Sequence, residues 1–250
     1  MSGHSKWSQI KRQKGANDAK RGALFTKIGR EIAIAARAGG GDTEANYKLR
    51  LAVEKARSVN MPAETIKRAI ERATGSADAE QFEEIVYEGY GPGGVAILVE
   101  TATDNRNRTA AEVRSIFTKA GGQLAGTGAV AWQFEPRGVV AIMRDGQDPD
   151  EVALTAIDAG ADDVDTEGDV LEVYTNPVDL EAVRRSLEAA GYSVESAELA
   201  MRPTSTIALD VSAARQNLRL IESLEDLEDV QRVSANFDLP DEVMAEAATA

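Results

Sequence analysis

Lys6, Lys11, Arg12, Lys14, Lys20 and Arg21, with Trp7 among them, crowd the start of the chain, and the first seventeen residues carry no acid. Lys27 and Arg30 extend the series. Cations at this density neutralise phosphates, and an indole among them can stack on a base or a ribosomal surface. Such a segment is expected to order only on binding. A second cluster lies in DNRNRT at 104–109, where Asn105, Arg106, Asn107 and Arg108 fall at the first turn of a predicted helix. Free N–H groups there favour an anion, so these residues, together with Tyr90 of GYGPGG, form a candidate anion or partner site. The competing reading is that Arg106 and Arg108 pair with neighbours such as Glu88 or Glu100 and pin the loop.

Other chemistries are poorly served. The chain has no cysteine and one histidine, His4, so the usual nucleophile and base pairings are absent and no catalytic residue is expected. The literal GxGxxG at Gly89, Gly91 and Gly94 leads into a strand instead of a helix and contains Pro92, which reads as a turn rather than a dinucleotide loop. DDVDTEGD at 162–169 imitates the opening of a calcium loop, but Tyr174 stands where the bidentate glutamate belongs. It reads as a solvated acidic turn, and Glu225, Asp226, Glu228 and Asp229 read as a solvated face. Neither a metal nor a cofactor is expected.

The formal net charge of −14 conceals an asymmetry: residues 1–75 hold 16 Lys and Arg against 7 Asp and Glu, and the remainder 12 against 35. A basic end joined to an acidic body implies two surfaces with different partners. The apolar runs are strand-sized, far short of a bilayer span, and the N-terminus lacks a signal-peptide core. A cytoplasmic protein with no membrane association is expected.

The elements that must position these groups follow from periodicity. Leu24, Ile28, Ile32 and Ala35 predict a helix stopped by Gly39-Gly40-Gly41. A second helix is expected from near Asp42-Thr43 with Leu49, Ala52, Val53 and Ala56 inward. A third should follow Pro62 with Ile66, Ala69, Ile70 and Ala73 inward. Strands are expected over 84–88 and 95–101, then a helix capped by Thr109 and Glu112, and a strand over 129–134. Between Gly138 and Pro203 a strand, helix, strand pattern occurs twice, the ferredoxin-like arrangement. A helix over 212–223 and a strand over 230–239 are left to return to the middle domain. The expected fold is therefore α+β and multidomain. A basic arm and three-helix domain occupy 1–75, a middle α/β domain is split over 80–137 and 204–242, and a βαββαβ domain is inserted at 138–203.

With the GHSKW start, Asn60-Met61-Pro62, YEGYGPGG at 87–94 and TDNRNRTAAEVR at 103–114 in view, the chain closely resembles the YebC/PmpR family over nearly its full length. The resemblance implies the same three-domain layout and a cytoplasmic nucleic-acid-associated regulator, generally labelled a transcriptional regulator with DNA-binding members. Relatives in mitochondria are similar to translational activators, and some bacterial members resemble ribosome-associated factors. The alternative partner is therefore ribosomal RNA on the ribosome. The family offers no catalytic residue to carry over.

Overall fold

The computed structural model describes residues 18–75, 82–240 and 242–243, with side chains from Arg21 onward. Helices α1 (Asp18–Gly39), α2 (Tyr47–Ser58) and α3 (Ala63–Gly75) form the N-terminal bundle. Its core is the predicted stripe set: Ile28, Ile32, Ala35, Leu49, Ala52, Val53, Ala56 and Ile66, joined by Met61. Each fully buried Ile or Leu there contributes roughly 1.5–3 kcal/mol. α2 starts at Tyr47, later than Asp42-Thr43, because the side chain of Asn46 caps it by accepting from Leu49 N at 3.1 Å. The Asn46 amide also donates to the carbonyls of Ala35 and Gly40, at 2.7 and 2.9 Å. One side chain thus satisfies the end of α1 and the start of α2.

Strands β1 (Glu83–Tyr90) and β2 (Ala96–Thr103) flank the Gly-Pro-Gly-Gly turn as antiparallel neighbours. They are followed by helix α4 (Arg106–Lys119) and strand β3 (Gln123–Leu124). α4 begins earlier than the expected Thr109 cap, because the Asn105 side chain accepts from Arg108 N at 3.1 Å. Thr109 is instead a buried residue of the first turn. Residues 129–133 are not the strand their apolar pattern predicts: a short 3-10 turn spans Ala131–Gln133.

Residues 134–202 form a compact unit of their own. It comprises β4 (Phe134–Met143), α5 (Pro149–Asp158), β5 (Asp163–Asp165), β6 (Val170–Thr175), α6 (Leu180–Ala189) and β7 (Val194–Pro203), with sheet order β5-β6-β4-β7. That order is the ferredoxin-like one, and the β4/β6 and β5/β6 pairs are antiparallel. Two acids of the 162–169 turn are held by arginines within this unit: Asp162 pairs with Arg137 at 2.5 Å and Asp163 with Arg202 at 2.8 Å.

The chain then adds β8 (Ile207–Ala208), α7 (Val211–Glu225), β9 (Val230–Ala235) and β10 (Phe237–Asp238) to the middle domain. The middle sheet runs β3-β1-β2-β9, and β8 pairs with β10 in a two-stranded sheet. Side chains alternate across a strand, so Tyr87, Ile97, Val99, Val233 and Ala235 share the face packed by Val113 and Phe117 of α4 and Leu218, Ile221 and Leu224 of α7. Glu88 and Tyr90 lie on the other face, where Glu88 anchors the loop after β3.

Candidate nucleic-acid interface

Five of the predicted arm residues, Lys6, Trp7, Lys11, Arg12 and Lys14, lie outside the described residues, as does the side chain of Lys20. The described cations of α1 divide into two groups. Arg21 is exposed and lies 5.9 Å from the centroid of Phe25, and Arg37 is exposed in the last turn. Lys27 and Arg30 point into the chain instead. Lys27 Nζ donates to the Glu225 carbonyl at the end of α7, and Arg30 Nη1 donates to the Glu228 carbonyl at 2.6 Å. Cations belong at a helix C-terminus, where unsatisfied carbonyls concentrate negative potential.

Arg30 also reaches Asp229 Oδ1 at 2.7 Å and lies over the Phe82 ring at 5.4 Å. Asp229 is 3% exposed, so it is not part of the solvated face predicted for its acidic run. Arg108 Nη2 donates to Asp229 Oδ2 at 2.8 Å and to Asp104 at 2.7 Å. The loop-pinning reading therefore describes Arg108, although its partners are Asp104 and Asp229 rather than Glu88 or Glu100. Thr109 Oγ1 lies 2.6 Å from Asp229 Oδ2, Thr103 Oγ1 lies 3.1 Å from it, and the two hydroxyls are 2.7 Å apart. The Asn105 N–H donates to Thr103 Oγ1 at 2.9 Å, and both threonine hydroxyls have the Asp229 carboxylate as acceptor. One carboxylate thereby ties the bundle (Arg30), the start of α4 (Arg108, Thr109), the end of β2 (Thr103) and the entry to β9.

Burial alone would raise the Asp229 pKa, but hydrogen bonds from Thr109, Arg108 and Thr103 and the charge of Arg30 outweigh it and hold it below the usual value near 3.8. A carboxyl depressed in the folded state stabilises the fold above its unfolded pKa. That contribution is lost as pH falls through the folded value. Urea midpoints measured at pH 6 and pH 3 should therefore fall more for the wild type than for Asp229→Asn. An equal fall in both would remove Asp229 from the acid response.

Arg106 and Asn107 are exposed at the first turn of α4, with the Arg106 carbonyl 3.3 Å from Tyr87 Oη. Glu88 is buried and caps a different loop: its carboxylate accepts from the amides of Gly128, Val130 and Ala131 at 2.6, 2.7 and 2.8 Å. Burial works against its ionisation, but these amides hold its pKa below the usual glutamate value. Beside this loop, the turn after Tyr90 needs its glycines. Gly93 and Gly94 both have φ of 78°, and a side chain at Gly91 would collide with Asn217 Oδ1. Asn217 holds the turn by donating to the Pro92 carbonyl at 2.8 Å. Tyr90 Oη donates to the Ala129 carbonyl at 3.0 Å.

Sequence reasoning missed Asp229 and Trp132. The signal for the first was an acid directly before the apolar strand start Val230. For the second it was a lone tryptophan in a stretch without charge.

Residues 5–76 match the family described as the TACO1/YebC protein N-terminal domain, and residues 82–237 match the TACO1/YebC second and third domain. The chain belongs to the TACO1/YebC family. A "probable transcriptional regulatory protein" of Rubrobacter xylanophilus is 56% identical over 249 residues, covering 99% of this chain and all of the relative. One of the same name from Moorella thermoacetica is 55% identical, covering 98% of each chain. The crystal structure of a conserved hypothetical protein from Aquifex aeolicus superposes with a TM-score of 0.84 at 45% identity, covering 89% of this chain and 92% of that one. Membership of the TACO1/YebC family thus covers both the bundle and the two α/β parts. Among the described residues, no helix is long and apolar enough to cross a membrane, and no cluster of His, Cys, Asp and Glu is placed to hold a metal ion.

Proposed function

We propose that this protein is a cytoplasmic, non-enzymatic regulator of gene expression that binds nucleic acid through its basic N-terminal region. The observation that carries the reading is charge segregation: 16 Lys and Arg against 7 Asp and Glu in residues 1–75, ahead of an acidic remainder. The acidic body repels polyanions and directs phosphate contact to the basic end, where Lys6, Lys11, Arg12, Lys14, Lys20 and Arg21 supply it. Arg30 and Arg108 stabilise the scaffold through Asp229, and the exposed Arg106 is free to face a partner. The names of the Rubrobacter and Moorella relatives favour transcription, and therefore DNA, as the target.

The second reading is a translation factor that uses the same region on ribosomal RNA, because phosphate contacts carry no base information. Crosslinking in cells followed by sequencing of both bound DNA and bound RNA tests both. Enrichment of promoter DNA supports the transcriptional reading, and enrichment of ribosomal RNA supports the translational one. Recovery of neither above background contradicts nucleic-acid binding.

A further inference from the structure

Trp132 is 73% exposed, an unusual position for the largest apolar side chain. It is nevertheless held in place. Its Nε1 donates to the Ala129 carbonyl at 3.1 Å, and the Tyr90 hydroxyl donates to the same oxygen at 3.0 Å. Two aromatic side chains thus fix their polar atoms on one acceptor, and Trp132 leaves its ring largely open to solvent. The acceptor itself is fixed, because the buried Glu88 carboxylate takes the amides of Gly128, Val130 and Ala131 on either side of it. The Tyr90 backbone is fixed as well, paired with Ala96 in β2 and with Gln123 in β3. A preorganised aromatic binds with little further loss of side-chain entropy.

The surroundings narrow the class of ligand. Residues 89–99 and 120–134, which build this surface, contain no charged residue, although the chain beyond Gly75 carries 35 acids. Besides Tyr90 and Trp132, the exposed positions of these two stretches are glycines, Gln123 and Thr127, none of which carries a charge. A nucleobase always arrives with phosphates on either side, and an acidic rim would repel it. An aromatic platform whose exposed segments carry no charge, in an otherwise acidic body, suits an unpaired base. A paired base in a duplex cannot present its face to such a platform.

We propose that Trp132 and Tyr90 form a stacking site for an unpaired nucleobase, which adds single-strand preference to the phosphate contacts of the basic region. The proposal rests on the nucleic-acid reading above. It is tested with the full chain, its Trp132→Ala and Trp132→Phe variants, and three labelled probes: 12-nucleotide oligouridine, 12-nucleotide oligothymidine and a 12-base-pair duplex. Trp132→Ala is expected to weaken binding of the single strands about tenfold. It should leave duplex affinity and the slope of log affinity against log salt unchanged, because stacking releases no counterions. Trp132→Phe should retain most of the affinity. Melting temperature should not move, since the ring is exposed. A larger loss on oligouridine than on oligothymidine assigns the site to RNA, and equal losses assign it to unpaired bases of either kind.

Unchanged single-strand affinity in Trp132→Ala, or an equal loss on the duplex, overturns the stacking site and leaves the proposed function standing. Failure of the wild-type chain to bind any of the three probes overturns the proposed function, and the stacking site with it.

Discussion

Replacing Asp229 with alanine is expected to lower the melting temperature by roughly 6–12 °C, the equivalent of about 3 kcal/mol for a chain of this size. The carboxylate is 3% exposed, and removing it deprives Arg30, whose side chain is only 12% exposed, of a buried counter-charge and leaves it the Glu228 carbonyl. It also leaves the hydroxyls of Thr103 and Thr109 without their charged acceptor. Arg108 loses less: its side chain is 42% exposed and keeps Asp104, so it rehydrates readily. The replacement therefore sits at the low end of the cost of breaking a buried pair. Arg108→Ala should accordingly shift the melting temperature far less than Asp229→Ala. Equal shifts, or a shift under about 2 °C for Asp229→Ala, would show that the bundle and middle domain are held by other contacts.

Changing Lys6, Lys11, Arg12 and Lys14 together to glutamine is expected to reduce nucleic-acid affinity about a hundredfold at low salt, because each cation lost is a phosphate no longer neutralised. Arg30→Gln is expected to act differently. Its guanidinium already serves Asp229 and the Glu228 carbonyl, so the loss should appear first in thermal stability. A cation already in a good ion pair can contact a phosphate only by giving up that pair. This separates the basic series into a scaffold part and a contact part, a distinction that counting cations along the chain does not reveal.

That distinction marks where sequence reasoning stops. The helical stripes of the bundle are legible because Ile28, Ile32, Leu49, Val53 and Ile66 repeat at helical spacing, and burial follows the repeat. The repeated strand, helix, strand pattern likewise yields the ferredoxin-like order directly. Helix starts are harder to read: Asn46 and Asn105 outcompete Asp42 and Thr109 as caps, and several nearby polar residues are equally able to cap. Asp229 is harder still. Its donors Arg108 and Arg30 are 121 and 199 residues away in sequence, while its local neighbours are acids that resemble a solvated run. Trp132 is hard to place because the apolar run Ala129 to Phe134 reads as a strand, whereas the Glu88 carboxylate binds the backbone amides there and curls the segment into a turn.

The most direct test of the central claim is the salt dependence of binding by the full chain. With about five phosphates neutralised, the plot of log affinity against log salt for duplex DNA should have a slope of about −4 to −5. In the four-glutamine variant the slope should approach −1. A wild-type slope near zero would contradict a phosphate-binding basic end.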